Sequence, residues 1–273
     1  MARILVTGST DGIGLETART LQQRGHDVVF HARSEQRATA LTDTQAAHND
    51  ATARNDKPSA HNDATARSDK PEVLIGDLAD LQQTRELGRT AGAFDVVIHN
   101  AGIGGQDERR VTGDGIERTF QVNVLAPYVL TALMPRPQRI IYLTSGLESV
   151  GVADLDDLQY ERKPWNGMQA YSDSKLHDVA LAFAVARLWP EVRSNAVDPG
   201  WIRTKLGGPN ATDDLPEGAE TQVWLAAEDG DALVTGRYFK RREDLRPNPA
   251  AHDLHFQDGL LAACAELSGV TLR

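Results

Sequence analysis

Residues 4–14 read Ile4-Leu5-Val6-Thr7-Gly8-Ser9-Thr10-Asp11-Gly12-Ile13-Gly14. An aliphatic run ends in a glycine-rich turn, and an amphipathic helical pattern over 13–24 follows at once. Glycines let the backbone turn tightly and come close to a ligand. The opening helix then offers unpaired N–H groups and a positive dipole end to an anion such as a pyrophosphate. A plain strand-to-helix turn can look the same. What pyrophosphate binding requires is this position, after a strand and at the start of a helix.

Working outward, short apolar runs recur at Val28 to Phe30, Val73 to Ile75, Val96 to Ile98, Ile140 to Leu143 and Ser194 to Val197. Near-continuous runs of this kind suit strands buried on both faces of a parallel sheet. Helical patterns fall between and after them, at 79–90, 115–134 (stopped by Pro135 and Pro137), 169–188, 217–228 and 250–268. The alternation predicts an α/β fold: a doubly wound, mostly parallel, Rossmann-like sheet in a single domain over 1–273.

Composition agrees and excludes other classes. The 273 residues carry 29 basic against 39 acidic side chains, a net charge of −10. A nucleic-acid or anionic-membrane partner would need a basic face. One cysteine, Cys264, rules out an intrachain disulfide and a thiolate metal cluster and fits a reducing compartment. No apolar run has the length of a membrane span, and Met1 leads straight into the first strand, so the expected location is cytoplasmic.

One segment departs from the pattern. Residues 48–58 read HNDATARNDKP and residues 61–71 read HNDATARSDKP, ten matches in eleven at a period of 13. Apart from Pro58 and Pro71, nothing in 48–71 is apolar and larger than Ala, and four Asp balance two Arg and two Lys. Such a stretch buries too little surface to offset its ordering entropy. It reads as a duplicated polar loop insertion rather than a recognition arm, and two copies are too few for a solenoid.

The glycine turn, together with Tyr171-Ser172-Asp173-Ser174-Lys175, resembles the short-chain dehydrogenase/reductase family. The resemblance covers nearly the whole chain. It implies cofactor contacts along Gly8, Ser9, Thr10, Asp11, Gly12, Ile13 and Gly14, and adenine contacts at Asp77 and Leu78. Asn100, Ala101 and Gly102 follow the fourth strand, where His99 departs from the family's first Asn. Pro199, Gly200, Ile202 and Thr204 fall where the family contacts the nicotinamide carboxamide. The implied catalytic set is Asn123, Ser145, Tyr171 and Lys175, with the last two also at the cofactor and Asn123 supporting Lys175 through a water. No metal site is implied. The helices at 115–134 and 169–188 imply a homodimer or homotetramer, although some relatives are monomers.

The Tyr-Lys pair also stands on physics. Spacing of i and i+4 puts both side chains on one helix face. A free tyrosine titrates near 10, so proton transfer near pH 7 asks for a drop of roughly 2–3 units. An ammonium ~6 Å away supplies about 2.8 kcal/mol at an effective dielectric of 20. Ser145 would hold the substrate oxygen by a hydrogen bond.

Cofactor choice turns on the second strand. NAD(H) binding usually needs an acidic residue at its end. Here Arg33 and Ser34 follow His31-Ala32, with Arg37 one turn on. Guanidinium groups suit the 2′-phosphate of NADP(H), which is favoured over NAD(H). Asp11 counts against this, because many NADP-using relatives place a basic residue there.

Ser145 and Tyr171 are 26 residues apart, a long gap that resembles the retinol-dehydrogenase-like branch, as does Gly236-Arg237-Tyr238-Phe239. Asp154, Asp156 and Asp157 in that gap read as a solvated loop face. Tyr160, Trp165 and Trp201 either wall a bulky apolar substrate or fill core. Residues 203–216 read as a mobile substrate loop. His252 and His255 lack a third ligand, and Cys264 reads as packing.

The expectation is an oxidoreductase moving a hydride between NADP(H) and a small-molecule carbonyl or alcohol, in cells a reductase, with Tyr171 as acid/base. The rivals are an epimerase or dehydratase on the same scaffold and a regulator that senses NADP(H) without turnover. About 70 residues after Gly200 leave little room for the first rival's substrate domain, and the second tends to lose the Tyr-Lys pair.

Overall fold

The computed structural model of the chain describes residues 1–53 and 70–272, and the side chains of all these except 45–53. Its strands are β1 (Arg3–Val6), β2 (Asp27–Ala32), β3 (Val73–Ile75), β4 (Val96–His99), β5 (Arg139–Leu143), β6 (Arg193–Val197), β7 (Tyr238–Lys240) and β8 (Glu243–Asp244). They form one sheet in the order β3-β2-β1-β4-β5-β6-β7-β8. Every pair up to β6–β7 is parallel, and β7–β8 alone is antiparallel. The order reverses between β1 and β4, so a crevice opens there at the carboxyl ends of the strands.

Both faces of the sheet are covered. Helices α1 (Gly12–Gln23), α2 (Glu35–Ala53), α3 (Leu81–Thr90), α4 (Arg118–Phe120), α5 (Ala126–Leu133), α6 (Gly167–Leu188), α7 (Leu215–Ala227) and α8 (Leu254–Ser268) lie between and after the strands. Alternation along each strand divides the core. Ile141 and Leu143 of β5 pack with the α1 and α7 residues Leu21 and Trp224. Ile140 and Tyr142 pack with α6 residues such as Leu176 and with Phe256 and Cys264 of α8. Cys264 is fully buried, and burial pushes its thiol up. No helix among the described residues is long and apolar enough to cross a membrane.

The helix expected over 115–134 is three pieces. Glu117 starts it, accepting N–H bonds from Thr119 and Phe120 at 2.8 and 2.7 Å. A π-turn then spans Gln121–Leu125, closed by the Ala126 N–H on the Gln121 carbonyl. Pro127 has no N–H for the Asn123 carbonyl, and the wider turn accommodates that loss. The helix expected over 250–268 divides likewise into a 3-10 turn, Pro249–His252, and α8, with Asp253 capping the His255 N–H.

Helix α2 and strands β7 and β8 go beyond the predicted elements. Helix α2 carries the backbone through Ala53 and so takes up the first six residues of the repeat. The rest of that insertion, 54–69, lies outside the described residues.

Candidate active site

The turn after β1 is pinned from below. Thr7 Oγ1 accepts the N–H groups of Asn100 and Ala101, both at 3.0 Å, which locks it to the end of β4. The Asn100 side chain donates to the carbonyls of Thr7 and Gly8 at 2.8 and 3.2 Å. Gly8 and Gly12 sit at φ of +62° and +55°, the left-handed region glycine favours. A Cβ on Gly8 would lie 2.9 Å from Ala101 Cα, and one on Gly14 would lie 2.6 Å from the Gly8 carbonyl. The turn is thus a cradle of bare backbone before the twelve-residue α1, which fits a dinucleotide pyrophosphate.

Some expected cofactor contacts turn inward. The Ser9 hydroxyl is buried and accepts the His31 N–H at 2.9 Å. His31 Nδ1 in turn accepts the Gly8 N–H at 2.9 Å, and its Nε2 meets the Gly76 carbonyl at 2.9 Å. Burial lowers this imidazole to about 4, so it is neutral. Leu78 is a core side chain, while Asp77 caps the Ala79 N–H at 3.0 Å. Ile13 packs under the turn. Departing from the family's asparagine, His99 is buried against Thr131 Oγ1 at 2.9 Å and faces the sheet interior.

At the carboxyl end of β2, Arg33 is exposed and Ser34 Oγ accepts the Arg37 N–H at 3.4 Å. Asp11 caps the Gly12 N–H at 2.9 Å and pairs with Lys205 at 2.5 Å and Arg37 at 3.7 Å. The Lys205 bond holds its carboxyl below the usual range. Lys205 belongs to the segment after β6, which lies across the glycine turn: the Thr204 methyl would sit 3.3 Å from a Cβ on Gly12. Gly200 takes φ +95°, Ile202 is buried against Gly218, and Asp198 accepts the Gly200 N–H beyond Pro199 at 2.9 Å.

Helix α6 presents the other half. Tyr171 and Lys175 share a face, with Lys175 Nζ 5.8 Å from the Tyr171 ring centre. Lys175 is buried and donates to the Leu143 carbonyl at 2.9 Å and to Asp178 Oδ2 at 2.8 Å. Burial works against its charge, but the Asp178 carboxylate, with Tyr171 adding, offsets this and the titration is raised. Ser145, at the end of β5, accepts the Leu147 N–H at 3.3 Å. Asn123 sits on the π-turn, where its carboxamide bonds Ile103 N–H and C=O at 2.9 and 3.0 Å and Ser174 Oγ at 2.9 Å. These bonds pin the loop after β4 beside Lys175. A Cβ on Gly102 would lie 3.4 Å from Asn123 Oδ1 and 3.5 Å from Lys175 Nζ.

The lysine's charged partner is therefore Asp178, which the motif-based reading did not single out. Its sequence signal was a lone carboxylate one turn past Lys175, at the head of the apolar run Val179 to Val185.

The long gap before Tyr171 is also more ordered than a solvated face. Asp157 is buried and accepts the N–H groups of Glu161, Arg162 and Lys163 at 2.7, 3.2 and 2.9 Å. Tyr160 is buried with its hydroxyl 2.6 Å from Asp173 Oδ2, and Trp165 meets it edge-on. These two build the support under α6. Trp201, by contrast, is 52% exposed, as are Leu147, Val150, Met168 and Leu206 to comparable degrees. No cluster of three potential metal ligands occurs among the described residues. His252 stacks on Phe183 instead.

A sequence profile described as short chain dehydrogenase matches residues 2–154. The short-chain dehydrogenase chyC of Penicillium rubens is 38% identical over 280 residues, covering 100% of this chain and 99% of that protein. Human retinol dehydrogenase 13 is 30% identical over 297 residues, covering 98% of this chain and 84% of that protein. A blue fluorescent protein from a metagenomic library, solved in complex with NADPH, superposes with a TM-score of 0.63 at 26% identity, covering 87% of this chain and 94% of that one. A glycine-rich turn at the β1–β4 reversal and a Tyr-Lys pair on α6 thus accompany similarity along the whole sequence: the chain belongs to the short-chain dehydrogenase/reductase family of NAD(P)-dependent oxidoreductases, near its retinol-dehydrogenase-like branch.

Proposed function

We propose that the chain reduces a bulky, apolar ketone or aldehyde with NADP(H), Tyr171 delivering the proton. The observation that carries this reading is the Tyr171–Lys175 pair, its ammonium 5.8 Å from the ring centre in the carboxyl-end crevice. A bound nicotinamide supplies the hydride to the carbonyl carbon. As negative charge builds on the carbonyl oxygen, the Tyr171 phenol gives it a proton and is left as a phenolate, which regains a proton from solvent. Ser145 accepts from Leu147 and keeps its own O–H to donate to the same oxygen. Lys175 favours the phenolate, and Leu143 and Asp178 leave one of its three N–H groups for a ribose hydroxyl.

Apolar side chains support the substrate class. Leu147 and Val150 follow Ser145, Met168 precedes Tyr171, and Trp201 and Leu206 belong to the segment over the glycine turn. Exposed apolar groups on three segments that adjoin Ser145, Tyr171 and the glycine turn suit a large apolar substrate, and a relative named for retinol agrees. Support for NADP(H) comes from the exposed Arg33 at the end of β2, where an acidic residue would favour NAD(H).

The test is NADPH consumption over ketones, aldehydes and quinones, with Tyr171→Phe as the blank. Expected is turnover by the wild-type chain and a loss of at least about 10²–10⁴-fold in the variant, with cofactor affinity kept. Lys175→Met should lose turnover similarly and also weaken cofactor binding. Near wild-type kcat/KM for Tyr171→Phe refutes the mechanism. Tight cofactor binding with no turnover on any substrate favours a sensor.

A further inference from the structure

We propose that Asp178 is a positioning residue of this site: its buried carboxylate holds the Lys175 ammonium on the Leu143 carbonyl and offsets its charge, so that the proton affinity of Tyr171 is set by a Lys–Asp pair. The inference rests on the assignment of Tyr171 as the acid/base. Three observations carry it. Asp178 Oδ2 lies 2.8 Å from Lys175 Nζ, and both side chains are almost wholly buried. Asp178 Oδ1 accepts no hydrogen bond from the protein, so the carboxylate is committed to the lysine alone. Positions 171, 175 and 178 fall on one face of α6, which aligns phenol, ammonium and carboxylate.

The electrostatics follow from the distances. A lone ammonium would pull the Tyr171 titration down. Asp178 Oδ2 can lie no farther from the Tyr171 ring centre than the 5.8 Å and 2.8 Å steps laid end to end. At the far end of that range a unit negative charge moves a neighbour's titration up by roughly 1.4 pH units at an effective dielectric of about 20, and closer in by more. Of the groups around Asp178, Lys175 on its own helix pulls the carboxyl down, while burial pushes it up to about 6. Across the helix–sheet interface, Tyr142 of β5 feels the Asp178 charge and bonds Thr131 Oγ1 of α5 at 2.9 Å. Behind it lies His99 of β4, neutral because burial lowers it to about 3. On α6, His177 points elsewhere, between Phe120 and Phe256.

The test is a tyrosinate absorbance titration of the chain without substrate or cofactor. Burial pushes the titrations of Tyr128, Tyr142, Tyr160 and Tyr238 upward. The phase that disappears in Tyr171→Phe therefore identifies Tyr171. In Asp178→Asn, an isostere without the charge, that phase should move down by at least about one pH unit. Asp178→Ser, a second neutral variant, should move it the same way, and Asp178→Glu should not. In alcohol oxidation with NADP the acid limb of kcat/KM should move in parallel, making Asp178→Asn at least about tenfold faster at a fixed pH well below that limb. A damaged fold would slow the enzyme at every pH instead. The proposal is overturned if the neutral variants leave the Tyr171 phase in place, or if Asp178→Glu moves it equally. Because the titration needs no turnover, it can fail while carbonyl reduction by Tyr171 stands, and the reverse.

Discussion

Acidification should loosen this fold through His31, and the size follows from its environment. The ring is 2% exposed, takes the Gly8 N–H on Nδ1 and faces the Gly76 carbonyl through Nε2. A carbonyl can only accept, so Nε2 carries the proton and Nδ1 is the acceptor. Burial lowers the folded value to about 4, against 6.5 for the free side chain. Between those values the unfolded chain binds the extra proton, so stability rises with pH there. His31 contributes fully above about 6.5, and the contribution is lost as the pH falls toward 4. At pH 5 the loss is about 2 kcal/mol, from about 1.36 kcal/mol per unit over roughly 1.5 units. His99 and His177 are also lowered by burial and add in the same sense. Asp178, raised by burial, works the other way. Urea unfolding of wild type and His31→Gln at pH 7 and pH 5 isolates the one group. His31→Gln should be less stable at pH 7 by about 1–3 kcal/mol, for two buried bonds disturbed. The gap should close by about 2 kcal/mol at pH 5. Parallel losses in the two proteins refute the reasoning.

Arg33→Ala should weaken NADPH binding roughly 10- to 100-fold while leaving NADH nearly unchanged, since only NADPH carries the 2′-phosphate; fluorescence titration with both cofactors checks this, and equal losses refute it. Gly14→Ala forces a methyl within 2.6 Å of the Gly8 carbonyl, so thermal unfolding should show a cost of about 1–3 kcal/mol and dinucleotide binding should fail. Deleting residues 59–71, one repeat unit, should leave the melting temperature and turnover nearly intact, because loop entropy changes by only about 0.6 kcal/mol per doubling of length.

The sheet could be foreseen because its strands are buried on both faces and so appear as unbroken apolar runs. Strand β7 is three residues, with Tyr238 and Phe239 buried, and the edge strand β8 is two exposed acidic residues, Glu243 and Asp244, so neither makes such a run. Helix α2 gives no such signal because its sequence, mostly Ala, Thr and polar residues with Leu41 as the one large apolar side chain, has no apolar stripe. At the site, Tyr171 and Lys175 were marked by their spacing. Asp178 was not, since nothing in a linear pattern says that a carboxylate will be buried against the lysine before it. Ser9 and Asn100 illustrate the same limit. Both stand at the glycine turn, but their side chains are spent on the protein, Ser9 on the His31 N–H of β2 and Asn100 on the Thr7 and Gly8 carbonyls of the turn.

The π-turn at Gln121–Leu125 has a rotational meaning. It seats one extra residue in a single turn, so the segments on either side run along one axis but are out of phase by roughly 100°. Phe120 before it and Tyr128 after it can therefore both face the same core, while Asn123 between them looks toward the loop after β4. The wide turn works as a phase shifter for one side chain. Pro127 acts as its lock, because any residue with an N–H at that position could close a regular turn onto the Asn123 carbonyl and swing the carboxamide away from Ile103.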